Sequence, residues 1–398
     1  MNPGEIVTVD ISSVNSEGEG IARLESGGGK NFVVFVPGSL PGERVVCRIA
    51  RVSKKYAAAA VVDILSASPD RVAPRCPSFG SCGGCRLQHA SYPAQMGMKR
   101  SILADAMRRI GGIELPGGLH CEPSAKEWGY RNKAILPVGK FTGYYERRSH
   151  KIVPFEKCPV LEPSLESIVS SMISEHGRIG LKGYEESSAS GDIRAIAARS
   201  GGAGGSALAG VVAAREFNRR EFGALKNIHQ NIMSGIPNLT GAVLNVKTSR
   251  DNFVWGPEFK SICGGKYIAA KMGNYSFDLD ISSFFQINAQ QAERIFSRAA
   301  EIVKSCGPSS VLELYSGVGS LTAYLASSAE RVDAVEEWRP AARLMKGNME
   351  QNGIGNVRVF VQAAERFMSD TDSLKRGSYD AIVLDPPRTG IPDAVTEG

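Results

Sequence analysis

The chain has 398 residues, 47 Lys and Arg against 41 Asp and Glu, and a formal net charge of +6, a mild basic excess compatible with nucleic acid without requiring it. That length exceeds what one ordinary core serves, so two or three domains are expected. Eight cysteines, half of them in one set, argue against a secreted disulfide scaffold; the Met1-Asn-Pro-Gly-Glu-Ile6 start has no signal-peptide pattern and no apolar run reaches membrane-spanning length, so a cytoplasmic protein is expected.

Residues 4 to about 65 read as short strands, at Glu5–Ile11, Gly20–Arg23, Asn31–Val36, Arg44–Val52 and Tyr56–Leu65. Turns separate them at Glu17–Gly20, Gly27–Lys30 and Pro37–Gly42. Strands at this spacing suggest a small OB-type barrel. Arg48, Arg51, Lys54 and Lys55 cluster on its late strands, either as a solvated edge or as an RNA-facing patch.

Next come Cys76, Cys82 and Cys85 in the run Cys76-Pro-Ser-Phe-Gly-Ser-Cys82-Gly-Gly-Cys85, with Cys158-Pro159 later. Thiolates separated by glycines are a ligand set, because glycine lets the backbone fold tightly around an ion or cluster. Four such ligands suit a [4Fe–4S] cluster or a structural zinc, and the spacing alone does not choose.

Ala94–Ile110 reads as an amphipathic helix with Met98, Ile102, Leu103, Ala106 and Ile110 on one side. From about 123 to 262 the pattern is mixed. Trp128–Lys133 and Gly143–His150 interleave aromatics with bases, as single-stranded RNA surfaces do and as ordinary charged strand faces also do. Ser187–Ser206 reads as holding a loop between two strands.

From about 266 helix and strand alternate. Ala289–Lys304 is helical, Ser310–Tyr315 a buried strand, Leu321–Ser327 a helix, Val332–Glu336 a strand and Pro340–Asn352 a helix; Val357–Val361 and Asp380–Asp385 are further strands. Such a βαβ series predicts a parallel doubly wound sheet. Tyr315-Ser-Gly-Val-Gly-Ser320 then sets a glycine turn at the carboxyl edge, and Glu336 ends the second strand where a carboxylate grips ribose hydroxyls. No third glycine or lysine follows, which disfavours a dinucleotide fingerprint and a P-loop. S-adenosylmethionine carries no pyrophosphate and needs less cradling. Asp385-Pro-Pro-Arg388 ends the fourth strand at the same crevice, and Ser283-Phe-Phe-Gln-Ile-Asn288 precedes the first helix. Arg388 argues against an amino- or ring-nitrogen methyltransferase.

Together these pieces resemble the TrmA/RumA-like family of RNA (uracil-5-)-methyltransferases. The segments that carry the likeness are Cys76-x5-Cys82-Gly-Gly-Cys85-x2-Gln88-His89, Gly143–His150 before Cys158-Pro159, Phe284-Phe-Gln286-x-Asn288, Leu312–Ser320, Glu336, Asn348-x3-Asn352-Gly353 and Asp385–Arg388. The resemblance implies a TRAM barrel over 1–65. It implies a central iron–sulfur domain over 66–90 and 123–265, and a Rossmann-like methyltransferase domain over 91–122 and 266–398. It implies S-adenosylmethionine held by Gln286, Tyr315, Ser320, Glu336 and Asp385, with Ala363 adjoining through its backbone, and a [4Fe–4S] cluster on Cys76, Cys82, Cys85 and Cys158. The implied partner is RNA, 23S rRNA before tRNA, with a non-catalytic iron–sulfur RNA-binding protein as the alternative reading; a monomer is expected. The family's nucleophilic cysteine, in a Ser-Cys-Asn-Pro segment, and its glutamate base are expected beyond Gly398, as are the last strands of the sheet. The sequence is thus read as a chain without its catalytic tail, in which neither Cys263 nor Cys306 stands in.

Overall fold

The computed structural model describes residues 1–26, 30–115, 118–202, 204–251, 253–369, 379–388 and 390–396. They gather into two compact units, Met1–Ser124 with Gly143–Pro159, and Ala125–Thr142 with Val160–Gly398.

In the first unit β1 (Ile6–Val14), β2 (Glu19–Ser26), β3 (Lys30–Pro37), β4 (Arg44–Val52) and β5 (Tyr56–Ser66) close a barrel in the order β1-β2-β3-β5-β4. A parallel pairing of β3 with β5 completes the ring. Alternation builds it: Val45, Cys47 and Ile49 point inward from β4 while Arg44 and Arg48 point out, since successive strand side chains face opposite ways. Register shifts between β4 and β5 supply the bending that a small closed barrel needs. The expected turn at Gly27–Gly29 lies outside the described residues. Arg48, Arg51, Lys54 and Lys55 are all exposed. Below the barrel the fully buried Glu43 carboxylate accepts two bonds from Arg71, at 2.5 and 2.8 Å, and two from the backbone amides of Leu40 and Ser68.

Helix α1 (Tyr92–Arg109) starts at Ser91, whose hydroxyl accepts from the Ala94 amide at 3.4 Å. The expected apolar stripe is only partly used. Met98 is the buried residue, packed with Val14, Leu40 and Ala90, while Leu103 and Ile110 stay 50 and 88 % exposed. Ile102 packs partly buried against the same cluster, and with Leu103 and Ala106 it borders an open hollow beside Ser16, Gly18 and Leu87, so the rest of the stripe is only partly covered. Expected with the methyltransferase segment, α1 instead falls in the first unit. Strand β6 (Lys133–Pro137) belongs to the second unit, and the hairpin of β7 (Gly143–Tyr145) and β8 (Ile152–Pro154) returns to the first.

The second unit continues through α2 (Pro163–His176), β9 (Ile193–Ser200), β10 (Ala207–Ala213), α3 (Arg219–Gly235), β11 (Leu239–Val246) and β12 (Glu258–Gly264). Its first sheet has the order β12-β11-β10-β9-β6. The stretch Ser187–Ser206 holds the connection between β9 and β10, as expected, and also β9 itself, whose alanines fit because the strand is buried on both faces. A hairpin of β13 (Ile268–Met272) and β14 (Tyr275–Leu279) leads on to α4 (Ala289–Ser305), β15 (Ser310–Leu314), α5 (Ser320–Leu325), β16 (Arg331–Val335), α6 (Arg339–Gln351), β17 (Val357–Phe360), α7 (Ala364–Ser369), β18 (Ala381–Leu384) and α8 (Asp393–Thr396). These strands form the expected parallel sheet, in the order β17-β16-β15-β18. The chain leaves β15 towards β16 on one side while β18 lies on the other. Such a switch point opens a crevice beyond the carboxyl ends of the strands.

One core runs through both sheets. Ala197, Leu208 and Val243 pack with Ile268, Met272 and Phe277 of the hairpin and with Val311, Val332 and Met345. The expected division at 265 therefore falls inside continuous packing. Among the described residues no helix is long and apolar enough to cross a membrane.

Candidate functional site

Strand β15 is buried along its whole length and is followed at once by Tyr315, which has φ +64°. A non-glycine residue held there costs about 1–3 kcal/mol and persists only where its surroundings dictate it. Gly319 follows at φ +86°, and a Cβ on it would meet Met345 Cγ at 2.6 Å, so α6 packs directly on the turn. Gly317, by contrast, has open space where its Cβ would be. Its amide donates to Glu336 Oε2 at 2.8 Å, and Glu336 Oε1 accepts from the Trp338 amide at 2.7 Å. The glycine turn and the end of β16 are thus tied through one carboxylate.

Beside that turn is a small pocket lined by Gln286, Glu313, Tyr315, Gly317, Ser320 and Asp385, with Phe284 at its side. Gln286 Nε2 donates to Asp385 Oδ2 at 3.3 Å. Four of the six expected donor positions therefore share one pocket, and Glu336 touches its wall through Gly317. Ala363 is not among the lining residues. It lies just before α7, past the end of β17, where its carbonyl accepts from the Phe367 amide at 3.0 Å.

Glu313 is a further pocket residue that the sequence reading did not single out. It is 2 % exposed, and its Oε2 has no hydrogen-bond partner. Burial, with repulsion from Asp385 and Glu336, pushes its carboxyl up to about 8. The available signal was an acid inside the apolar strand Ser310-Val-Leu-Glu-Leu314. Three carboxyl groups around a small pocket, one of them without a partner oxygen contact, suit a ligand that brings hydrogen-bond donors and positive charge.

Other quoted positions do different work. Phe285 is buried in the core while Phe284 is 69 % exposed. Asn288 caps α4, accepting from the Gln291 amide at 3.2 Å. Asn348 and Asn352 face β14, where their Oδ1 atoms accept from the Asp278 and Ser276 amides at 2.8 and 2.9 Å. Asn348 also donates to the Val318 carbonyl at 2.9 Å, pinning the glycine turn from behind. Cys306 follows α4 ahead of β15, at the opposite edge of the sheet from the pocket, and Cys263 lies on β12.

Cys76, Cys82, Cys85 and Cys158 share the first unit, are half-buried, and form no disulfide. Gln88 Oε1 accepts from the Cys76 amide at 3.1 Å, and the Gly84 amide donates to Cys82 Sγ at 3.4 Å. Gly83 donates to the Tyr145 carbonyl at 2.9 Å, and a Cβ on it would meet that oxygen at 3.0 Å. Glycine there lets the loop lie close to the β7–β8 hairpin. Burial pushes the Cys76 thiol up, and nearby Cys85 adds to this. The donor chemistry suits a thiolate-bound metal, but among the described residues no three His, Cys, Asp or Glu side chains are gathered as a metal site.

The basic-aromatic run is also used differently from a plain surface. Arg147 bridges Glu17 and Glu19 at 3.1 and 3.2 Å, and Arg148 reaches Glu19 at 3.4 Å. Lys133 turns its ammonium inward to the Ser282 and Ser283 carbonyls.

Two known domain families match this sequence: the TRAM domain over residues 2–62 and tRNA (uracil-5-)-methyltransferase over residues 267–397. An uncharacterized RNA methyltransferase of Halalkalibacterium halodurans is 32% identical over 99% of this chain and 85% of its own length. Another, from Gloeobacter violaceus, is 30% identical over 99% of this chain and 84% of its own. Among solved structures, the tRNA (uracil-54, C5)-methyltransferase of Pyrococcus abyssi, crystallised with S-adenosyl-L-homocysteine, superposes with a TM-score of 0.74 at 22% identity, covering 98% of this chain and 86% of that one. The barrel and the parallel-sheet half thus have the fold of an RNA methyltransferase, and with relatives of this identity along its length the chain belongs to the RNA methyltransferases, carrying a TRAM domain and a tRNA (uracil-5-)-methyltransferase domain.

Proposed function

We propose that this protein transfers a methyl group from S-adenosylmethionine to C5 of uridine in RNA, with 23S rRNA as substrate and tRNA as the second reading. One observation carries this: Gln286, Tyr315, Ser320 and Asp385 line a single pocket at the switch point, with Glu336 beside it. The pocket suits such a donor. Gly317 leaves backbone open to a ligand, and Glu313 keeps an oxygen with no partner. When bound, the donor supplies an electrophilic methyl on a sulfonium. The chain's part is to orient it: Glu336 for the ribose hydroxyls, Gln286, Tyr315, Ser320 and Asp385 around the rest, and Ala363 through its backbone. Carboxylate-to-hydroxyl bonds are charge-assisted and so among the stronger contacts available.

Residues 1–65 act on RNA as the TRAM barrel, the cysteine segment that shares the barrel's unit carries the cluster, and the parallel-sheet stretch from 266 onward is the transferase. Cys76, Cys82, Cys85 and Cys158 are assigned as ligands of a [4Fe–4S] cluster, zinc being the other metal their thiolates suit. TRAM barrel and cysteine set together favour rRNA. The protein works in the cytoplasm as a monomer.

The test is nucleoside analysis of rRNA and tRNA from cells with and without the gene. Loss of 5-methyluridine from 23S rRNA is expected. Loss from tRNA alone would move the substrate, and unchanged 5-methyluridine in both would overturn the proposal.

A further inference from the structure

Gln286 sits on an irregular segment between β14 and α4, with no strand ladder to hold it. A glutamine fixed on such a segment gives up much of its rotamer freedom, among the largest such losses of any side chain. Its contact with Asp385 at 3.3 Å therefore depends on how firmly the main chain beneath it is held. Part of the holding is local. Asp280 Oδ1 accepts from the amides of Ser282 and Ser283, at 2.8 and 2.6 Å, and from both hydroxyls at 2.8 Å.

The rest comes from residues 84 to 154 positions away, on β9, on β6 and just before β6. Lys133 Nζ donates to the carbonyls of Ser282 and Ser283 at 3.3 and 3.1 Å. Arg199 Nη2 donates to the same Ser283 carbonyl. Asn132 Nδ2 donates to the Gln286 carbonyl at 3.0 Å, and its amide to that of Ile287 at 3.1 Å. Four carbonyls of one short segment are thus taken by β9, β6 and the residue before β6. Phe285, between them, is buried in the core.

This arrangement is costly for stability alone. Lys133 and Arg199 are direct cross-strand partners, where like charges repel. Arg199 is 1 % exposed, and its Nε and Nη1 have no hydrogen-bond partner. Burial first, and then the charge of Arg199, hold the Lys133 amine well below the usual lysine range. Apolar residues of similar volume would often serve a core as well or better. What the cations gain is a segment with little freedom left.

We infer that Asn132, Lys133 and Arg199 are positioning residues, which lock the Ser282–Ile287 main chain so that Gln286 is presented to the pocket against Asp385. This rests on the donor-pocket reading. The residues would set donor affinity without touching the donor.

The test is a double-mutant cycle on the full chain, titrating S-adenosylhomocysteine by calorimetry. Gln286→Ala and Lys133→Met should each weaken binding roughly tenfold, the size of one such bond lost. The double variant should fall within about twofold of Gln286→Ala, because the two changes act through one contact. Hydrogen exchange should quicken over 280–288 in Lys133→Met while the parallel sheet keeps its protection. A merely structural role would multiply the losses and raise exchange throughout the unit. Asn132→Ala carries the same cycle if Lys133→Met does not fold. Wild-type affinity in the anchor variants, or multiplied losses, would overturn the inference while leaving the pocket standing. Wild-type affinity in Gln286→Ala would overturn both.

Discussion

Glu313 lies near the carboxyl end of a strand whose every residue is buried; it has an oxygen without a partner and lines a pocket that also holds Asp385. A carboxyl pushed up to about 8 keeps its proton in the folded chain at neutral pH, whereas the unfolded chain releases it near the ordinary carboxyl value. The folded pKa is raised, so this contribution to stability is full below the unfolded pKa and is lost as pH rises through about 8. Glu313→Gln should therefore flatten the fall in stability between pH 5 and 8, read by denaturant melts at several pH values. Parallel profiles for wild type and variant would show that the carboxyl ionises normally. The same residue marks a limit of sequence reading. Glycines, Glu336 and Asp385 stand out by spacing, but an acid inside an apolar strand reveals its role only when neighbouring carboxylates are placed around it.

At the scale of elements, the barrel was legible because alternation is strict: Val45, Cys47 and Ile49 go inward and arginines outward. Helix α1 was less so. Its periodicity is real, yet periodicity states which face could be buried, not how much surface will meet it, and only Met98 is buried. Between barrel and cysteine segment sits the Glu43–Arg71 pair. Burial alone would raise the Glu43 carboxyl, but the Arg71 guanidinium and the Leu40 and Ser68 amides hold it below the usual range. That stability is present above the unfolded pKa and is lost as pH falls through the folded value. Arg71→Met leaves a buried carboxylate without its cation, so the first unit should lose about 3–5 kcal/mol. Chemical unfolding of the variant measures this, and a change within about 0.5 kcal/mol would place the pair with ordinary surface bridges. The cysteine segment has its own check. Anaerobically purified protein should carry about four irons and four sulfides, and Cys82→Ser should remove its visible colour. Stoichiometric zinc without iron would overturn the cluster assignment.

Across the whole molecule, the strand–helix alternation after residue 266 was enough to read a parallel sheet, and the order β17-β16-β15-β18 bears it out. The domain match over 267–397 covers the same stretch. What sequence did not show was the core shared by Ala197, Leu208 and Val243 with Val311 and Val332. Such packing joins residues 68 to 135 positions apart and leaves no local pattern. Nor did it show that Lys133, grouped with surface bases, turns inward to the segment before α4. Side-chain direction depends on which strand becomes the neighbour, and β9 is the neighbour of β6. The central claim is that the turn Tyr315–Ser320, with Glu336, holds the methyl donor. Calorimetric titration of S-adenosylhomocysteine into the wild-type chain and Glu336→Ala tests it directly. One-to-one binding is expected for wild type, weakened roughly tenfold or more in the variant, since a charge-assisted bond contributes about 1.5–3 kcal/mol. Absent binding by the wild type, or equal affinity in the two proteins, would contradict the account.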